Sequence, residues 1–296
     1  MSFYVPRPGE TLSHDIADFP EGIVLPIDKP YRWTSADVIR KLKWKAIRHF
    51  GKKNLKVGHA GTLDPLATGV LLVCIGDACK KAQQLQDHDK EYIARIRFGA
   101  TTPSYDLEKD VDRRFPFEHI TVDAVRTALP AFLGEQEQVA PLFSAKSVDG
   151  VRAYELARKL YRTGRLDELD AAALDTLQRN KINITELELL DYAPEGDGDS
   201  VRGAGVERSG TESPRTLSPS PSARINVADT SALGLPEAAI RIACSKGTYI
   251  RAFARDLGEA LGSGAHLSGL IRSRSGDFRV EDALSLDQAL ELFEQA

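Results

Sequence analysis

The sequence has no long apolar run, few cysteines and no large excess of charge of either sign. No apolar stretch approaches the roughly 18 residues that a membrane-spanning helix needs. The first 22 residues have no apolar core behind a basic start, so we expect neither a secretory signal nor an anchor. Cys74, Cys79 and Cys244 form no C-x-x-C pair and lie in apolar runs, which favours buried thiols over a disulfide or zinc site. The sequence therefore predicts a cytoplasmic globular protein.

The charge is small overall but unevenly distributed. The chain has 296 residues, and 39 basic against 43 acidic residues give a formal net charge of −4. However, the segment from Asp37 to Lys56 holds eight basic residues and one acid, and the segment from Val151 to Arg165 holds five and one. Either segment alone would fit a solvated helix face. Two of them on an acidic chain indicate a partner that carries phosphate.

Strands and helices are mixed along the chain without a regular βαβ rhythm, which predicts an α+β fold around a largely antiparallel sheet. The apolar periodicity predicts strands at residues 22–30, 71–75, 92–98, 181–192 and 239–245. In the strand at 92–98, Arg95 and Arg97 alternate with apolar residues, which predicts that the strand is half-exposed. The periodicity also predicts helices at 34–50, 122–133, 153–161, from 250 to about 262, and after 276. Residues 1–21 are expected to form an N-terminal arm. Residues 194–222, rich in Pro, Gly and Ser, are expected to form a mobile loop between two neighbouring strands.

The stretch GHAGTLDPLATG, residues 58–69, predicts a fixed loop that carries Asp64 and His59 between the basic helix and an apolar strand. Composition alone leaves open that Asp64 only accepts backbone N–H groups in a turn, which is the commoner role. The sequence contains no phosphate-binding loop, no zinc-protease pair and no nucleophile elbow. A site built on a carboxylate, without metal or cofactor, is the class that remains.

Five segments resemble, in order, the TruB-type tRNA pseudouridine-55 synthases. They are IDKPYRWTSADVIRK, GHAGTLDPLATG, KEYIARIRFGATTPSYD, PLFSAKSVDGVRAYELAR and CSKGTYIRAFARDLGEALGSGAHLSGL. The resemblance runs from about Gly22 to Leu290. It implies a pseudouridine synthase-like α+β fold, in which helices flank a largely antiparallel mixed sheet, with a catalytic domain at 22–296. It also implies an isomerase that converts uridine-55 in the T-loop of tRNA to pseudouridine without a cofactor.

The resemblance assigns three catalytic residues. Asp64 is the nucleophilic carboxylate, and Arg251 forms an ion pair that favours its charged form. Tyr92 stacks on the target base, with proton transfer as a possible second role. The residues alone leave purely structural roles open, which are a surface ion pair for Arg251 and strand packing for Tyr92. The order of the chemical steps at Asp64 also stays open.

The resemblance further places Tyr92, Tyr249 and Leu270 in the pocket for the base and His59 against the flipped nucleotide. Leu270 would otherwise be a core leucine, and His59 a structural histidine. Lys29 either supports the site or approaches the RNA backbone. The helix at 37–56, together with Arg272 and Arg274, is expected to contact phosphates.

Only 20 residues follow Gly276, so we expect no C-terminal PUA domain of the kind that many relatives carry. The expected partner is tRNA, bound through its T-arm by a monomer that needs no guide RNA.

The alternative function is a tRNA-binding folding helper whose chemistry is incidental. A glycoside hydrolase would need a second acid, for which Asp106 is the only ready candidate.

Overall fold

The computed structural model of this chain describes residues 3–141, 147–148, 151–152, 179–195 and 225–293. The helix predicted at 153–161, most of the second basic segment and residues 196–222 of the predicted loop lie outside the described residues. The chain divides into two compact units. Unit 1 comprises Met1–Ile93, Arg202–Ile225 and Leu270–Ala296, and unit 2 comprises Ala94–Val201 and Asn226–Gly269.

The described residues form an α+β fold, as predicted, in which helices flank mixed and mostly antiparallel β-structure. The helices are α1 (Ser35–His49), α2 (Ala82–Asp87), α3 (Val122–Ala128), α4 (Ile250–Ala260) and α5 (Leu286–Glu291). The strands are β1 (Ile23–Lys29), β2 (Val57–Ala60), β3 (Ala67–Ile75), β4 (Lys90–Phe98), β5 (Ala100–Thr101), β6 (Arg113–Arg114), β7 (Gly134–Val139), β8 (Ser147–Val148), β9 (Val151–Arg152), β10 (Arg179–Ala193), β11 (Glu237–Cys244), β12 (Ala265–Ser275) and β13 (Phe278–Arg279). Each of the five predicted strands corresponds to one of these.

Strand β3 is the centre of unit 1. It pairs antiparallel with β1 and β2, and the end of β12 that belongs to unit 1 runs parallel to it, with Leu270 opposite Ala67. Eight of its nine residues are buried, which is why its sequence is a continuous apolar run. In unit 2, β10 pairs antiparallel with β11 and with β7. The two strands that flank residues 194–222 are therefore neighbours, as predicted.

Helix α1 begins and packs as its sequence predicts. The Thr34 hydroxyl accepts from the N–H of Asp37, and the Asp37 carboxylate accepts from the N–H of Thr34, so the two form a capping box. Leu42 and Ala46 are fully buried in the core of unit 1, one turn apart. This packing leaves the basic residues of the helix on its outer side.

The structure differs from the sequence predictions at three places. Helix α3 ends at Ala128 and a 3-10 turn follows, because Pro130 has no N–H to donate. The chain after Gly276 contains β13, a 3-10 turn and α5 instead of one helix. Arg97, predicted on an exposed strand face, is 1% exposed, and its Nε lies 2.8 Å from the Glu237 carboxylate.

The segment before β1 belongs to unit 1 and packs against its core. Tyr4 forms a parallel bridge with Ile23, and Leu12 is 2% exposed within the same core as α1. In the described part of the chain, no helix combines the length and the apolar character needed to cross a bilayer.

Candidate active site

Asp64 lies on a loop of unit 1 that connects β2 to β3. Both of its neighbours are fixed. The Ser35 hydroxyl donates to the carbonyl of Leu63 (3.1 Å) and accepts from the N–H of Leu63 (3.0 Å), and the Leu63 side chain is buried in the core. The carbonyl of Pro65 accepts from the N–H of Arg32 at 3.0 Å. The partly buried Asp64 carboxylate is thus carried by a backbone tied down on both sides.

Lys29, at the end of β1, donates hydrogen bonds to the backbone of this loop and of the segment after β1. Its side chain has no exposed surface, and its Nζ donates to the carbonyls of Trp33 (2.6 Å), Pro30 (2.9 Å) and Pro65 (3.2 Å). Burial lowers the pKa of Lys29 to about 7, and the charge of Asp64 is the strongest influence in the opposite direction. The sequence leaves two roles open for Lys29, support of the site and contact with the RNA backbone. Its full burial agrees with the first role.

Arg272 on β12 binds the first residue of the same loop and a backbone carbonyl within β3. It is 1% exposed, its Nε donates to the carbonyl of Val70 at 2.7 Å, and its Nη2 donates to the carbonyl of Gly61 at 3.2 Å. The prediction that Arg272 contacts phosphate is therefore wrong, because its guanidinium is enclosed by backbone carbonyls. Arg274 is partly buried, and its Nη1 donates to the carbonyl of Gly276.

Gly69, in β3, makes the close approach of β12 to β3 possible. Its φ is +95°, and a Cβ at this position would lie 2.3 Å from the carbonyl oxygen of Arg272. Only glycine fits such a conformation at such a distance. The last glycine of the GHAGTLDPLATG segment is thus required by packing, whereas Gly58 has open space around the position of a Cβ.

His59 does not lie on the loop, contrary to the prediction, but on strand β2, where it pairs with Val73 of β3. Its pKa is lowered, first by burial and then by the charge of Arg272, so the ring is neutral at pH 7. Its Nδ1 is buried and has no hydrogen-bond partner among the described residues.

Tyr92 and Leu270 are partly buried and pack against the core that also contains Leu63. Leu270 faces Ala67 across the parallel pairing of β3 and β12, and the N–H of Ala67 donates to the Asp64 carbonyl at 3.1 Å. The structure thus places five of the predicted site residues in unit 1: Lys29, His59, Asp64, Tyr92 and Leu270.

The other two predicted residues, Tyr249 and Arg251, lie in unit 2 at the start of α4. The backbone of Tyr249 is fixed by Gln138, which accepts from its N–H at 2.8 Å and donates to its carbonyl at 3.1 Å. Arg251 is 6% exposed, so it is not a surface residue. Its Nη1 donates to the carbonyl of Ser104 at 3.1 Å, and its Nε lies 3.8 Å from the Asp106 carboxylate.

In unit 2, the acid near Arg251 is Asp106, which the sequence suggested only as the second acid of a hydrolase. It is buried and accepts from the Ser104 hydroxyl at 2.6 Å and from the N–H of Glu108 at 2.9 Å. Its place directly after two hydroxyl residues in the matched segment TTPSYD was the only sequence signal for this role.

Among the described residues, no group of three or more His, Cys, Asp or Glu could hold a metal ion. Cys74 is fully buried, which raises the pKa of its thiol to about 12. What the described site offers chemically is one partly buried carboxylate on a fixed loop, a neutral histidine on the preceding strand, and buried basic side chains bound to backbone carbonyls.

A family model described as "TruB family pseudouridylate synthase (N terminal domain)" matches residues 48–202, more than half of the chain. The chain is 46% identical over 278 residues to the tRNA pseudouridine synthase B of Phocaeicola vulgatus, covering 94% of this chain and 96% of the relative. This chain belongs to the TruB family of pseudouridylate synthases. The enzyme of that name from Deinococcus radiodurans is 38% identical, over 90% of this chain and 78% of its own length.

Solved structures of more distant proteins share this fold. A Cbf5-Nop10-Gar1 complex matches with a TM-score of 0.54 and 22% identity, and an H/ACA RNP bound to a substrate RNA matches with 0.52 and 22%. Each match covers 92% of this chain, which spans only about half the length of those solved chains. They establish the fold that the sequence predicted.

Proposed function

We propose that this TruB-family enzyme converts uridine-55 in the T-loop of tRNA to pseudouridine, with Asp64 as the nucleophile. The observation that carries the proposal is the fixation of Asp64 by Ser35, Lys29 and Arg272 on the matched family segment. A carboxylate held in one position is what attack on a bound nucleoside requires.

The reaction breaks the N1–C1′ bond of uridine and forms a C5–C1′ bond. The proton on C5 is lost and N1 gains one, so the product is an isomer of the substrate, and no oxidant or second substrate is consumed. The target base must leave the stack to reach Asp64, at a cost of a few kcal/mol. Tyr92, Tyr249 and Leu270 hold the flipped base in this proposal, and the neutral ring of His59 contacts the extruded nucleotide.

The ion pair between Arg251 and Asp64 remains a prediction from the resemblance. It is tested by Arg251→Met, which should reduce the rate of the chemical step more strongly than the affinity for tRNA. Arg126→Met, at an exposed arginine of unit 2, serves as the control.

We also propose that the protein acts as a monomer without a guide RNA. Relatives at 46% and 44% identity are named tRNA pseudouridine synthase B, whereas a Cbf5-Nop10-Gar1 complex resembles this chain at only 22% identity. These names support a tRNA substrate taken up directly.

The decisive experiment compares Asp64→Asn with Asp123→Asn, which changes an exposed aspartate of unit 2. Pseudouridine at position 55 of an unmodified tRNA transcript is mapped by carbodiimide labelling and primer extension. Asp64→Asn should form none while still binding tRNA, and Asp123→Asn should match the wild type. Activity of Asp64→Asn at the wild-type rate would contradict the proposal.

A second candidate function, a tRNA-folding helper, is favoured by the exposed basic residues of α1. In that case Asp64→Asn would restore misfolded tRNA as well as the wild type does. A refolding assay run beside the modification assay separates the two activities.

A further inference from the structure

The outer side of α1 carries an exposed tryptophan among cations. We call it the α1 outer face and define it by Arg40, Lys41, Lys43, Trp44 and Arg48. All five are exposed, and Trp44, at 56%, is the most exposed of the large hydrophobic residues in the described part of the chain. Tryptophan and arginine are enriched in binding interfaces relative to the rest of a protein surface.

Two cations lie over the indole ring of Trp44. The guanidinium carbon of Arg48 is 4.6 Å from the ring centroid, and Nζ of Lys45 is 5.9 Å from it. Arg40 and Arg48 stand four residues before and after Trp44, so their Cα atoms are about 12 Å apart along the helix axis with the indole midway. Positive charge therefore lies before and after the indole along the helix, and Arg48 also stacks on the ring itself.

Very little negative charge opposes these cations. The segment from Asp37 to Lys56 has a net charge of +7, so the rest of the chain carries −11. Its one acid, Asp37, is buried and lies 2.8 Å from Arg40. Beyond the helix, Asp77 lies near Lys52 and Lys56 but forms an ion pair with Lys80 at 2.9 Å. An acidic chain that concentrates its positive charge in this way is suited to a polyanion.

We propose that the α1 outer face binds the RNA substrate outside the catalytic site, with its cations on phosphates and Trp44 stacked on an unpaired base. The proposal rests on the proposed function only in that the polyanion is RNA. A membrane surface does not fit, because the apolar side of α1 is already buried in the core through Leu42 and Ala46. Stacking of a base on an aromatic ring beside cations is a common mode of binding single-stranded RNA.

The first test uses intrinsic fluorescence, since the chain has two tryptophans and Trp33 is only 4% exposed. Addition of an unmodified tRNA transcript should quench the emission of the wild type and leave that of Trp44→Phe almost unchanged. Polyglutamate is the competing probe. Quenching by polyglutamate but not by tRNA would overturn the proposal in favour of an acidic protein partner.

The second test measures tRNA binding between 0.05 and 0.3 M KCl, concentrations of about the range in which phosphate contacts dominate. Trp44→Ala should weaken binding about 5- to 100-fold. The triple variant Lys41→Gln, Lys43→Gln and Arg48→Gln should lower the slope of log Kd against log salt by about 2 to 3. Matched controls are Leu190→Ala, at an exposed leucine, and Arg126→Gln, and both should bind like the wild type.

All of these changes are at exposed side chains, so the variants should fold, which unfolding midpoints within about a degree of the wild type would verify. Wild-type affinity and salt slope in both α1 variants would overturn the proposal. Each measurement is repeated in the Asp64→Asn background. Binding needs no turnover. An active Asp64→Asn variant would therefore refute the catalytic proposal, whereas the binding measurements alone would still decide the proposal for the α1 outer face.

Discussion

Replacement of Lys29 by methionine should make the stability of the protein less dependent on pH above neutrality. Lys29 is fully buried, and its pKa falls from 10.5 to about 7 in the folded state. Between these two values the unfolded chain binds the proton and the folded protein does not. The free energy of unfolding must therefore decrease as pH falls through this window, and it levels off below about pH 7.

The magnitude follows from the pKa difference and from the contacts of the amine. The full window corresponds to about 5 kcal/mol, and the step from about pH 9.5 to 7.5 to roughly 2.5 kcal/mol. In the variant, the Pro65 carbonyl still accepts from Arg32 and the Pro30 carbonyl still accepts from Trp33. The Trp33 carbonyl loses its 2.6 Å bond from Lys29, which costs about 1–3 kcal/mol at every pH.

The assay is urea-induced unfolding of both proteins at several pH values from about 7 to 9.5. The wild type should gain roughly 2.5 kcal/mol relative to Lys29→Met as the pH rises from about 7.5 to 9.5. Lys80→Met, which removes an exposed lysine, is the control and should show no such change. Parallel pH profiles for the wild type and Lys29→Met would refute the reasoning, because the buried amine would then titrate alike in the folded and unfolded chains.

Two further substitutions and a control test the packing of each unit. Gly69→Ala should lower the free energy of unfolding by about 3–5 kcal/mol, because its Cβ would overlap the Arg272 carbonyl, whereas Gly58→Ala should change it by less than about 1 kcal/mol. Equal effects in denaturant unfolding would contradict this. Burial lowers the pKa of His266 to about 4, so the wild type should lose about 3 kcal/mol of stability between pH 6.5 and 4 as the unfolded chain takes up the proton. His266→Asn, which can still donate to Ala100, should lose less over the same range, and identical acid-unfolding profiles would count against it.

The sequence could predict those elements whose caps, periodicity or apolar runs lie within a short stretch of the chain. Helix α1 has a capping box at Thr34 and apolar residues at helical spacing, so its start and its buried side are both encoded within 16 residues. Strand β3 is apolar throughout because both of its faces are buried. The pairing of β10 with β11 was predictable because two strand patterns stand on either side of a segment that cannot bury itself.

The buried charges could not be predicted in this way. Arg272 looks like an exposed strand residue, because the carbonyls that bind it belong to Gly61 and Val70, about 200 positions earlier. Arg97 was misread for the same reason, since its partner Glu237 is 140 residues away. Sequence periodicity assigns charged residues to the surface, and only the tertiary fold provides the partners that allow their burial.

The cations of this protein therefore fall into two groups with different sensitivity to salt. Lys29, Arg251 and Arg272 are buried and bound to protein groups, whereas the cations of the α1 outer face are exposed. Salt screens exposed charges strongly and buried ones little. An increase in KCl from about 0.1 to 0.4 M should therefore raise the KM for tRNA more than tenfold, while the single-turnover rate constant at saturating tRNA changes less than about twofold. A rate constant that fell in parallel with affinity would mean that mobile ions reach Lys29 and Arg272 behind the Asp64 loop, contrary to their burial.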